Sequence, residues 1–180
     1  MKVSWQDGNY NDIVSVPLVF FGLKMPSLLN PFGWLKTLIL VEKQIRGAYP
    51  YEVVVLEIGT DYKGNMDLFK RYLTADYGVL TGIAPEHMEN FKDLDDVADE
   101  ELVVADISET LLVNTDTVDP KYLAKLVGYI DYGSSAKGCR IVAGPLSQKF
   151  KRTVTFELKD GFKIEVELDL IGKQNLPALA

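Results

Sequence analysis

Tyr77-Gly78-Val79-Leu80-Thr81-Gly82-Ile83 decides the fold, and it runs directly into Ala84-Pro85-Glu86-His87-Met88-Glu89. An apolar run bounded by glycine and proline reads as a strand buried on both faces, the habit of parallel sheets. About thirty residues earlier, Tyr51-Glu52-Val53-Val54-Val55-Leu56-Glu57 has the same character and is followed by Ile58-Gly59. Between them, Asn65 to Leu73 has helical spacing, with Gly64 or Asn65 able to cap it. Strand, helix, strand with short connections is the right-handed βαβ unit.

The rhythm continues outward. Asp93 to Ile107 predicts an acidic helix and Leu111-Leu112-Val113-Asn114 a third strand. Asp119 to Leu126 predicts a helix with Asp119 as N-cap and Pro120 at its first position. After Gly128 the period becomes two, in Ile141–Ala143, Thr153–Leu158 and Phe162–Leu168, with Lys159-Asp160-Gly161 as a hairpin turn. Toward the N-terminus, Gly33 to Ile45 predicts an amphipathic helix carrying Trp34, Leu35, Leu38, Val41 and Ile45. Its expected role is packing on the core, with a partner-binding face as the alternative. Residues 26–33 read as a break, and residues 1–22 as a polar loop followed by a short helix or strand at Pro17. The expected fold is α/β: a mostly parallel sheet flanked by helices, with an antiparallel β addition in the C-terminal third, in one domain over 1–180.

Composition bounds the partners. The 180 residues are 47% hydrophobic and 25% charged, as in an ordinary globular protein. A net charge of −7 argues against nucleic acid or an anionic membrane as partner. No apolar run reaches the ~18 residues of a membrane span, so no membrane insertion is expected. The first residues lack a secretion signal, and the expected location is cytoplasmic. The one cysteine, Cys139, excludes an internal disulfide and reads as a small strand residue.

Chemistry-bearing residues gather at strand ends. Glu57 and His87, the only histidine, each follow a predicted parallel strand, where open α/β sheets bind ligands. Either is a candidate metal ligand, with an exposed strand-end acid and an incidental loop imidazole as the plain alternatives. Together they suit Mg²⁺ with phosphate oxygens completing the shell. Asn114-Thr115-Asp116 ends the third strand, and its carboxamide suits either recognition of a base or an Asx turn. The acids from Asp93 to Glu101 read as a solvated helix face. No Ser/His/Asp triad, G-x-S-x-G or Cys/His zinc spacing is present.

Five segments in order resemble the central domain of the Mur ligase family, most closely the branch adding D-alanyl-D-alanine to UDP-MurNAc-tripeptide. They are Gly8-Asn9-Tyr10-Asn11 with Val16-Pro17-Leu18; Val55-Leu56-Glu57-Ile58-Gly59; Thr81 through Phe91; Val113-Asn114-Thr115-Asp116; and Leu170-Ile171-Gly172-Lys173-Gln174-Asn175. The resemblance implies an ATP-dependent amide-bond-forming ligase of peptidoglycan precursor synthesis. Its cofactors would be ATP and Mg²⁺, and its partners a UDP-MurNAc-peptide-like substrate and an amino acid or dipeptide. It implies that Glu57 and His87 hold Mg²⁺ near the γ-phosphate. Asn114, with Asp116 and Asn175, would lie on the nucleotide, and Asn9 and Asn11 by the UDP-sugar substrate. Glu101 falls where the family commonly has a carbamylated lysine, so a third catalytic residue, and the second carboxylate, is expected there, with one more exposed acid as the alternative.

Departures temper the expected activity. No G-x-x-x-x-G-K-[ST] occurs, although the family carries such a phosphate loop shortly before the Gly-Asn-x-Asn segment. The expectation is a central domain lacking that segment and the C-terminal ligase domain, inactive alone. It would self-associate or take the missing loop from a partner. The alternatives are a non-catalytic scaffold domain of the same descent and a small metal-dependent phosphohydrolase, which lacks the Asp-rich strand ends that such hydrolysis uses.

Overall fold

A computed structural model describes residues 1–6, 11–147 and 151–169. The chain divides into two compact units, Met1–Gly59 and Thr60–Ala180.

In the first unit, β1 (Val3–Trp5) pairs in parallel with β2 (Val53–Val55), Val3 opposite Val53. α1 (Val16–Val19) begins with Pro17 in its first turn, where the missing N–H costs nothing. α2 (Pro31–Ile45) is capped by Asn30, whose Oδ1 accepts the Gly33 N–H at 2.9 Å, with Pro31 in its first turn. Three expectations are corrected here. The polar start hides a strand, β1. β2 is not buried on both faces: it belongs to a two-stranded sheet, and Val53 and Val55 are exposed. α2 turns much of its apolar surface outward, and Thr37 is its buried residue.

The second unit holds the expected architecture, with strand order β3-β4-β5-β6-β7-β8. β3 (Ala75–Leu80), β4 (Ser108–Asn114), β5 (Ile130–Gly133) and β6 (Cys139–Leu146) are parallel. β7 (Arg152–Leu158) and β8 (Lys163–Leu168) add the antiparallel part. The hairpin turns where Asp-Gly requires it: Gly161 has φ +86°, and Asp160 Oδ1 accepts the Phe162 N–H at 3.0 Å. Helices α3 (Asn65–Lys70), α4 (Leu94–Glu101), α5 (Val104–Ile107) and α6 (Pro120–Leu123) fill the connections. α5 packs on β3 and β4, and α3 on α4 and α5. Asp93 and Asp119 cap α4 and α6. Tyr132, Ile141 and Val154 centre one core cluster, joined by Leu112, Cys139 and Phe156.

Two readings change in this unit. β3 is buried on one side only: it ends the sheet, and Tyr77 is 70% exposed. β5 was not foreseen, because Ile130-Asp131-Tyr132-Gly133 is too short and mixed to show a period.

Candidate functional site

The carboxyl ends of β3, β4 and β5 are laced together by side chains. Thr117 Oγ1 donates to the Thr81 carbonyl at 2.6 Å, joining β3 to β4. Asp116 joins β4 to β5, accepting from the Ser134 N–H at 2.7 Å and the Ser134 hydroxyl at 3.0 Å. Gly133, at φ +144°, lets that carboxylate approach, since a Cβ there would meet Asp116 Cγ at 2.9 Å. This is the edge at which open parallel sheets present ligand sites.

Asn114 is almost fully buried at the end of β4. Its Oδ1 accepts the Asp116 N–H at 2.9 Å, an Asx turn that points Asp116 at Ser134. A hydrogen bond also joins Asn114 to Tyr132, whose phenol is pushed up to about 12 by burial, with Asn114 pulling the other way.

Beyond β3 lies the loop with the single histidine. His87 is the one non-glycine residue with positive φ among those described, at +50°. Its carbonyl accepts the Asn90 N–H at 2.8 Å, closing a turn. Its Nε2 stands 3.3 Å from Asp61 Oδ1 and its Nδ1 3.9 Å from Glu89 Oε1. Asn90 Nδ2 donates to the Asp61 carbonyl at 2.8 Å, so the two loops are tied by backbone as well. Asn65 Oδ1 shapes the Asp61 loop by accepting the Asp61 and Tyr62 N–H groups at 3.1 and 3.0 Å.

Glu101, on α4, is half-buried, and its carboxyl is pushed up to about 7, first by burial and then by Glu86 and Glu100. Its neighbour Glu100 is buried and does structural work, taking the Gly64 N–H at 2.6 Å and the Met66 N–H at 3.2 Å at the start of α3.

In the first unit, Glu57 is an exposed carboxylate just beyond β2. Gln6 grips its peptide from both sides: Nε2 donates to the Glu57 carbonyl at 2.9 Å, and the Glu57 N–H donates to Gln6 Oε1. Asn11 stands beside the following turn, since a Cβ on Gly59 would meet Asn11 Nδ2 at 3.2 Å. Asn9 and Asn175 lie outside the described residues, as does the segment from Leu170 onward.

The structure thus brings His87 to Asp61, Glu101 into the neighbourhood of Glu86, Asn114 and Asp116 to the strand-end lip, and Asn11 to the turn after Glu57. Sequence reasoning missed Asp61 and Gln6. Asp61 had a signal, as an acid two residues past Gly59 at a strand end; Gln6 had none. Among the described residues, no group of three or more His, Cys, Asp or Glu side chains is gathered closely enough to hold a metal ion. No helix among them is long and apolar enough to cross a membrane.

The strand order and flanking helices of the second unit define an α/β fold with a mostly parallel sheet. More narrowly, the chain belongs to the Mur ligase family: the Mur ligase middle domain matches residues 34–179. Crystal structure I of MurF from Acinetobacter baumannii resembles it with a TM-score of 0.68 at 15% identity, over 98% of this chain and 34% of that one. The UDP-N-acetylmuramoylalanyl-D-glutamyl-2,6-diaminopimelate--D-alanyl-D-alanyl ligase from the same organism gives 0.67 at 15% identity, with the same coverage. At that identity the likeness is one of fold, and the chain spans about a third of these neighbours' length. No curated protein matches it in sequence.

Proposed function

We propose that the chain is the central segment of an ATP-dependent, amide-bond-forming ligase of peptidoglycan precursor synthesis, working in the cytoplasm. Family membership across residues 34–179 carries this reading. The substrate is a UDP-MurNAc-peptide-like carboxylate and the acceptor an amino acid or dipeptide, with D-alanyl-D-alanine favoured because the fold is shared with MurF. In the first step the carboxylate attacks the γ-phosphorus of ATP, giving an acyl phosphate and ADP. In the second, the acceptor amine attacks the acyl carbon and phosphate leaves.

The donor set suits Mg²⁺, which is ordinarily held by one or two carboxylates plus substrate phosphates rather than by an all-protein cage. Glu57 and His87 would hold it, with Asp61 beside the imidazole to orient the ring. Bound there, the ion supplies charge neutralisation for the phosphoryl oxygens. Glu101 takes the place of the family's modified lysine, its negative charge half-developed near neutral pH. Asn114, Asp116 and Asn175 serve the nucleotide, Asn9 and Asn11 the UDP-sugar end. The second reading is a non-catalytic binding domain of the same descent.

Complementation separates the two. The phosphate-loop segment and C-terminal domain of the Acinetobacter ligase are fused to the chain, and inorganic phosphate release is followed. The expected result is release that requires UDP-MurNAc-tripeptide and D-alanyl-D-alanine together. Glu57→Gln and His87→Ala should each lower it roughly a hundredfold, the scale of losing a metal-site partner. Release that ignores either substrate, or survives both substitutions, overturns the ligase reading.

A further inference from the structure

α2 is built unlike a helix that serves only its own core. Its inward side is narrow and partly polar: Thr37 is buried, and Gln44 Nε2 donates to the Phe21 carbonyl at 2.9 Å. Its outward side presents Phe32, Leu35 and Ile39 at i, i+3, i+7 spacing, all more than half exposed. Leu28 and Leu29, in the loop before the helix, extend this surface at 74% and 93% exposure. A contiguous apolar surface of this kind marks an interaction site.

Charge identifies the occupant. From Gly22 to Arg46 the cations are Lys24, Lys36, Lys43 and Arg46 and the only acid is Glu42, a net +3 in a chain whose total is −7. Lys36 and Lys43, seven residues apart and both exposed, share one flank of the outward side. We propose that α2 and its preceding loop dock the protein peripherally on an anionic lipid surface. Leu28, Leu29 and Phe32 sink into the headgroup boundary while the lysines meet lipid phosphates, the arrangement of interfacial helices. At 15 residues α2 is too short to span a bilayer, so it lies along the surface. The acidity of the rest of the chain does not oppose this, because charges beyond about 8 Å from the surface are screened at physiological salt. A second copy fits less well: a two-fold interface would set this net-positive face against itself.

The test is co-sedimentation of the 180-residue chain with vesicles. Phosphatidylcholine mixed with phosphatidylglycerol should bind it, and pure phosphatidylcholine should bind at least about tenfold less. Lys36→Glu with Lys43→Glu should weaken binding by at least about thirtyfold. Leu29→Ser with Phe32→Ser should abolish it, with circular dichroism unchanged because both side chains lie in solvent. Equal binding to both vesicle types, or binding indifferent to the lysine reversals, overturns the proposal. So does a chain that ignores vesicles but forms a dimer broken by Leu29→Ser with Phe32→Ser, which would assign the surface to protein.

Discussion

Glu100 and Glu101 are neighbours on one helix, yet their surroundings give them opposite effects on stability. The Glu101 carboxyl sits at about 7 in the folded protein against 4.5 when free, so the fold binds its proton more tightly than the unfolded chain does. The contribution of Glu101 to stability is therefore greatest below about pH 4.5, falls as pH rises to about 7, and then levels off. The loss is at most about 3.5 kcal/mol, at roughly 1.4 kcal/mol per pH unit of separation. Glu101→Gln should leave urea stability unchanged at pH 4 and raise it toward that limit at pH 8. If the two curves stay parallel between pH 5 and 7, the buried-acid account fails. Glu100 has the other sign, because its oxygens satisfy the Gly64 and Met66 N–H groups at the start of α3. Glu100→Ala leaves two donors without their acceptor and should cost about 2–3 kcal/mol in the same measurement. A loss under about 0.5 kcal/mol would show that water replaces the carboxylate. Nothing in Asp99-Glu100-Glu101 distinguishes these roles. They follow from a 100° rotation between successive helical positions.

At the scale of elements, the junction of β5 and β6 is the least ordinary piece of the fold. Parallel neighbours normally need a crossover of a dozen residues or more, but here five residues join them, with Tyr132 opposite Cys139 and Gly133 opposite Arg140. Asp131 makes the short path possible: its carboxylate accepts the Lys137 and Gly138 N–H groups, both at 2.8 Å, which hold it below the usual carboxylate range. Gly138 is equally required, because a Cβ there would meet the Asp131 carbonyl oxygen at 2.6 Å and Ile130 Cγ2 at 2.7 Å. Gly138→Ala should destabilise by about 1–3 kcal/mol, read as a lowered thermal midpoint. An unchanged midpoint would mean the junction relaxes without cost. The same junction shows why β5 escaped sequence reading. Strands of six or seven residues such as β3, β7 and β8 display their period, and Asp160-Gly161 announces its hairpin. β5 is specified by Asp131 and Gly138 acting at a distance, and β1 by a partner fifty residues away. α2 was found as a helix but misjudged as core, since apolar spacing says which face is apolar and not what covers it.

For the whole molecule, the sequence showed which polar residue types follow predicted strands, and the ends of parallel sheets are where ligand chemistry is generally placed. What could not be read was how few donors the described residues gather unaided. Among the described residues the His87–Asp61 contact is a two-donor arrangement, with no cluster of three. A divalent ion on so few ligands is held with a dissociation constant of roughly millimolar order, the weak end of oxygen-ligand sites. Binding to the folded state alone stabilises by RT ln(1 + [L]/Kd), so an ion present at its own Kd contributes about 0.4 kcal/mol. For a chain of this size that moves the thermal midpoint by about 1 °C. Removing Mg²⁺ from the isolated protein with a chelator should therefore shift the midpoint by no more than about 1 °C, read by differential scanning calorimetry. A drop of about 5 °C or more would reveal a preformed cage and contradict a site that waits for nucleotide phosphates to complete its shell. Repeating the scan with Mg²⁺ and ATP on the fused, complemented enzyme should give the larger shift, and Glu57→Gln should remove it, because the phosphates then complete the proposed shell.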